Sequence, residues 1–146
     1  EGESGHQDTL IRSEWVLKEL ENKKIPTQQI AGSTGNWEKN QANVIVRQWM
    51  KEYPNQIEVI ISNNDDMALG VYDYYKQHNL KLPLILGINN SPEMNQKIQA
   101  GEIYGTVDNG TNDQISYICK LLNDILNKDT AKYHKIWYSK PFAIEK

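Results

Sequence analysis

Four clusters of planar polar side chains mark this chain: His6 with Asp8, Asn64 with Asp65, Asn89 with Asn90, and Asp108 with Asn109. Arg12 lies one helical turn after Asp8, and Trp37 closes a glycine-containing loop. Amides, carboxylates and a guanidinium are forks of donors and acceptors, each able to bridge two neighbouring hydroxyl groups. An aromatic ring can cover an apolar C–H face that such forks cannot use. The set suits a neutral ligand dense in hydroxyls, and paired amides serve it better than a cluster of lysines. Each cluster also has a plainer reading. Ser62-Asn63-Asn64-Asp65-Asp66 could be only a helix cap and first turn. Asp8 and Arg12 at i, i+4 could be a surface pair, His6 a loop residue, and Trp37 a core anchor.

The elements that would position these residues follow from periodicity. Val59-Ile60-Ile61 is a β-branched run that reads as a fully buried strand. After the polar corner, Ala68, Val71, Tyr72 and Tyr75 recur at i, i+3, i+4, i+7, the apolar face of a helix that His78 and Asn79 close. Upstream, Asp8 is placed to cap a helix from Thr9 to about Asn22, with Leu10, Val16, Leu17 and Leu20 on one side and Pro26 beyond its end. Gln28 to Ala31 is a short strand candidate. A second helix runs from about Glu38 to Tyr53 through Ala42, Ile45, Val46 and Trp49. Downstream, Pro83 to Ile88 is a strand, Ser91-Pro92 caps a short helix ending at Gly101, and Ile103 to Val107 is a strand. A helix from Asp113 to about Asn127 carries Ile115, Ile118, Leu122 and Ile125, and Ile136 to Ile144 is extended. Asn109-Gly110 is also a hairpin signal, but the helical period after it favours a strand–helix corner.

Strands alternating with helices through short polar corners predict an α/β fold with a parallel sheet. All strand ends of such a sheet point one way, so the four clusters could line one cleft. With 146 residues the chain has the size of one domain, and its net charge of −3 without a basic block argues against a nucleic-acid partner. No apolar run approaches the roughly 18–20 residues of a membrane span. The polar start, Glu1-Gly2-Glu3-Ser4, has no signal-peptide core, as in a cytoplasmic, mature or truncated chain. The single cysteine, Cys119, rules out an intramolecular disulfide and is expected to be a small core residue. Trp15, Trp49 and Trp137 are assigned to packing, and of Tyr72, Tyr74 and Tyr75 two are expected in the core and one facing solvent.

Gly5-His6-Gln7-Asp8 with Arg12 is similar to the motif after the first hinge of periplasmic galactose/glucose-binding proteins. Asn36-Trp37-Glu38, Ser62 to Ala68, Gly87 to Glu93 and Gly105 to Asn109 follow in that family's order and spacing, so the likeness runs from Glu1 to about Phe142. Relatives of the Asn-Asn-Asp corner occur in ribose-binding proteins and repressor effector domains; the His-x-Asp-x-x-x-Arg set with the tryptophan is more specific. The resemblance implies that His6, Asp8, Arg12, Asn64 and Asn109 hydrogen-bond a hexose and that Trp37 stacks on it. Asn89 falls where the family usually has an aspartate, and an amide accepts at only one atom, which bears on affinity and epimer choice. Glu58 falls where some members complete a calcium site whose other ligands would lie upstream, so no metal or cofactor is expected here.

The resemblance further implies a type I periplasmic-binding fold, in which two α/β lobes enclose the sugar. Residues 1–109 would be the second lobe lacking its first strand and helix, and 110–146 a hinge-crossing helix and a strand belonging partly to the first lobe. The chain would then hold about half of a ligand site, and its bare faces would favour self-association. The implied function is non-catalytic capture of galactose or glucose outside the cytoplasm. A membrane permease of the ABC type or a sensory receptor would read the closed parent protein. The alternative is the effector domain of a cytoplasmic sugar-responsive repressor. A glycosidase using Asp8 and Asp65 is disfavoured, because no second carboxylate is spaced to oppose either one.

Overall fold

The computed structural model describes residues 1–128 and 140–145. Helix α1 spans Gln7–Asn22 and α2 Lys39–Glu52; strand β1 (Val59–Ile61) leads into α3 (Asp65–Gln77). Then follow β2 (Leu84–Ile88), α4 (Pro92–Gln99), β3 (Gly105–Asp108), α5 (Thr111–Leu126) and β4 (Phe142–Glu145). The four strands form one sheet in the order β1-β2-β3-β4. The first three are parallel, with Ile60 beside Ile85 and Gly87 beside Thr106. Strand β4 runs antiparallel to β3, pairing Thr106 with Ile144, where a wholly parallel sheet was expected. An antiparallel edge strand on a parallel sheet is a common arrangement.

The core is built around α3. Its Met67, Ala68, Leu69, Val71, Tyr72, Tyr74 and Tyr75 are all buried, together with Ala42 and Val46 of α2, Ile60 of β1 and Ile85 of β2. Helix α3 therefore lies between α2 and the sheet, and burial on both sides takes in all three tyrosines, including the one expected to face solvent. Tyr72 is covered by the ammonium groups of Lys76 and Lys97, 5.6 and 4.9 Å from its ring. Gly70 lets the helices close: a methyl group there would collide with the Lys39 carbonyl of α2. The ends of α3 and α4 follow the sequence signals. Asn79 sits at φ 51° after His78, Ser91 caps α4 with Pro92 in its first turn, and Gly101 follows at φ 73°.

Several expectations fail where no other element covers a face among the described residues. Strand β1 is not fully buried; Val59 and Ile61 are 47% and 42% exposed, because α3 covers only the face carrying Ile60. Residues 28–31 form no strand, and among the described residues no strand pairs with β1 on its side away from β2. Trp15 is 60% exposed under the Lys18 ammonium, and Leu10 and Leu17 are also exposed. Helix α5 buries no residue, so Cys119 is a surface thiol rather than a core residue. Helix periodicity shows which face is apolar and says nothing of what stands opposite it. Trp137 lies outside the described residues, as does the start of the extended segment.

A cluster of charge closes the far end of α3. Hydrogen bonds from Lys76 first, then Tyr72 and Lys97, hold the Glu102 carboxyl down at about 2 from an ordinary 4.5. A carboxyl lowered on folding adds stability above its unfolded value and loses it as pH falls through the folded one. Replacing Glu102 by Gln should therefore flatten the loss of urea resistance between pH 4.5 and about 2 and change its slope little above that range. The contact at Gly70 gives a second expectation: Gly70→Ala should destabilise the chain by about 2 kcal/mol in urea unfolding, by forcing α2 from α3.

Candidate functional site

The polar corners form two linked groups. The first begins at the start of α1, where His6, not Asp8, is the N-cap. His6 has extended backbone, and its Nδ1 accepts the Asp8 N–H at 3.2 Å. Asp8 lies inside the first turn, where its carboxylate is free to pair with Arg12 at 3.0 Å. The other arm of the Arg12 guanidinium donates to the Asn63 carbonyl at 2.7 Å, tying α1 to the corner after β1. Arg12 also stands 5.7 Å from the centre of the Trp37 ring, and the His6 ring meets that indole edge-on at 5.4 Å. Gly2 makes room for the indole, since a Cβ there would collide with the ring and with Thr9. Asn36 and Trp37 take φ values of 50° and 66°, the left-handed region that a bulky residue rarely enters. Asn64 steadies this turn: its Nδ2 donates to the Trp37 carbonyl at 3.0 Å while its Oδ1 caps α3 at Met67 N–H. Trp37 is half-buried against the core, so it serves as anchor and as exposed ring at once.

The second group joins the corners after β2 and β3. Asn89 Oδ1 accepts from Asn109 Nδ2 at 3.1 Å, and Asn109 Oδ1 accepts the Thr111 hydroxyl at 2.6 Å. Gly110 caps α5 with φ 76°, as the strand–helix reading of Asn109-Gly110 requires. With its oxygen engaged, Asn89 offers its Nδ2 as donor, whereas an aspartate would offer only acceptors. The two groups connect through the adjacent residues Asn64 and Asp65, because Asp65 accepts the Ser91 N–H at 2.6 Å.

The structure thus brings His6, Asp8, Arg12, Trp37 and Asn64 into one contact set and Asn89 and Asn109 into another. Asn63 was not singled out by the sequence, yet it receives the Gly2 N–H, the Arg12 guanidinium and a bond with Ser13. The only local signal was its place in a run of amides. The surface offers forks and one aromatic ring, and Arg12 offsets the charge of Asp8. Among the described residues no three His, Cys, Asp or Glu side chains are gathered as a metal site. Glu58 is exposed beside β1, its carbonyl accepting Leu84 N–H.

The carboxyl ends of these parallel strands carry clustered amides and carboxylates, where ligands sit in open α/β sheets. The chain belongs to the periplasmic binding protein domain family, whose model matches residues 1–130. It is 40% identical over 137 residues to the D-galactose/methyl-galactoside binding periplasmic protein MglB of Haemophilus influenzae, covering 93% of this chain and 41% of that protein. The xylitol-binding protein of Mycolicibacterium smegmatis is 29% identical over 83 residues, 56% of this chain and 24% of that one. Among solved structures, an ABC transporter periplasmic solute-binding protein of Actinobacillus succinogenes with bound D-allose matches with a TM-score of 0.88 at 23% identity. That match covers 99% of this chain and 50% of the other. A Caulobacter myo-inositol binding protein matches with a TM-score of 0.78 at 23% identity, over 89% of this chain and 44% of the other. These structures share the type I periplasmic-binding fold, and this chain spans about half their length or less.

Because Asn64 uses both ends of its amide, Asn64→Ala removes a helix cap and the support of the Trp37 turn together. The expected cost is about 1–2 kcal/mol in urea unfolding, with a shift in tryptophan emission; Asn64→Ser, which keeps a capping oxygen and lacks the Nδ2 donor, should recover part of the stability and leave the emission shift.

Proposed function

We propose that this chain supplies about half of the binding site of an extracytoplasmic solute-binding protein for a neutral hexose, with galactose first and glucose second. His6, Asp8, Arg12, Asn64, Asn89 and Asn109 contact the hydroxyls, and Trp37 covers one apolar face of the ring. Residues 1–109 together with β4 act as the second lobe of a two-lobed parent, and α5 extends towards the first. The contact set around Trp37 carries this reading. A charge-compensated guanidinium, a carboxylate, an imidazole and an indole meet within one patch. The 40% identity to a galactoside-binding protein supports galactose over other hexoses. The chemistry is capture and release: the set aligns donors and acceptors and no group is posed to break a bond. In the two-lobed parent, sugar held between the lobes favours closure, and an ABC permease or a sensory receptor reads the closed form.

The test is a titration of the chain, and of the longer protein containing it, with galactose, glucose and myo-inositol by calorimetry and tryptophan fluorescence. Galactose should bind saturably to the longer protein, and Trp37→Ala should weaken it about tenfold or more. Preference for myo-inositol, or no hexose binding by the longer protein, would overturn the reading.

A further inference from the structure

Asp65 is the most deeply buried charged residue among the described residues. It is 1% exposed, and among the described residues it makes no ion pair. A carboxylate removed from water costs several kcal/mol unless its oxygens are filled by donors. Both are filled here, by neutral groups from other elements. The Ser91 N–H donates to Oδ2 at 2.6 Å and the Thr106 hydroxyl donates to Oδ1 at 2.6 Å. The space it occupies is made by Gly87 of β2, where any Cβ would run into Oδ1. The carboxylate therefore does not cap its own helix. Asn64 does that, and Asp65 reaches across the sheet end to the corners after β2 and β3.

The corner it grips is strained. Asn89 has φ 133° and Asn90 φ 61°, two consecutive residues in a region that side chains disfavour. Such a conformation persists only when its surroundings over-determine it. The surroundings form a continuous chain of bonds. Asn90 N–H donates to Thr106 Oγ1 at 3.4 Å, and Asn90 Nδ2 to the buried Asp108 at 2.8 Å. Asp108 also accepts the Gly110 N–H at 2.6 Å, fixing the turn next to Asn109. Asn89 and Asn109, paired with each other at 3.1 Å, stand on top of this network.

We propose that Asp65 is a positioning residue of the ligand site: through Ser91 and Thr106 it clamps the Asn89-Asn90 corner and so sets the orientation of the Asn89–Asn109 amide pair. The inference deepens, and for its meaning in binding rests on, the assignment of those two amides to the hexose. Asp65→Asn removes one of the two acceptors. Thr106→Val keeps the shape of the neighbour and deletes the hydroxyl, while Thr106→Ser restores it.

The experiment is nuclear magnetic resonance on the full chain without sugar, following the side-chain amide signals of Asn89 and Asn109 and hydrogen exchange along the backbone. Asp65→Asn and Thr106→Val should both move those side-chain signals and speed exchange at Ser91 about tenfold. The backbone amides of Val46 and Leu69 should keep their protection, and Thr106→Ser should return the parent pattern. Thr106→Val also stands as the deciding variant should Asp65→Asn not fold. Side-chain signals that stay in place, or that move only together with the Val46 and Leu69 amides, overturn the proposal by showing a purely structural role. Because no sugar is needed, failure of the hexose reading shows separately, as an absence of galactose-induced shifts at Asn89 and Asn109 in the longer protein.

Discussion

Everything in this lobe hangs on the burial of α3 between α2 and the sheet. The helix is sealed on both sides, so its first turn is held in one place at the carboxyl end of β1. That placement gives Asn64 and Asp65 their roles. Asn64 faces the Trp37 turn while Asp65 turns inward under the corners after β2 and β3. A helix with only one packed face could rock on the sheet. One packed on both sides, with Gly70 allowing backbone contact, transmits position from the core to the polar corners.

The surface proposed to meet the ligand is assembled from loops in uncommon conformations. Asn36, Trp37, Asn89 and Asn90 all have positive φ, and each lies beside an assigned contact residue or is one. Asparagine tolerates this region better than most residues, through local side-chain bonds. Tryptophan does not, and the Trp37 turn is held by Asn64 below, Gly2 beside it and the aromatic edge of His6. Such a preformed corner would lose little entropy on meeting a ligand, which is consistent with the proposed site.

Apolar surface is unevenly covered. Val59, Ile61 and Leu84 on the outer sheet face, Leu10, Ile11 and Trp15 on α1, and the apolar stripe of α5 remain exposed. The chain spans 41% of its galactoside-binding relative.

Apart from residues 28–31, the sequence was enough to place the helices and strands in order, the α/β class and the corners at which polar residues gather. These are local matters: the periods of apolar residues, prolines at helix starts, and asparagine or glycine at helix ends. It also put the resemblance in view, because His6, Asp8, Arg12 and Trp37 are recognisable by spacing alone. Packing in the folded chain set which apolar faces are covered, and so Trp15 and Cys119 stand in solvent while all three tyrosines of α3 are inside. It decided that His6 caps α1 and releases Asp8 to Arg12, that residues 28–31 lack a strand partner, and that β4 returns antiparallel. It turned Asp65 from one acid in a helix's first turn into the centre of a buried network. The physical reason is common to all of these. Periodicity and capping depend on neighbours a few residues away, whereas burial, hydrogen-bond partners and strand pairing depend on groups distant in sequence that meet only when the chain has folded.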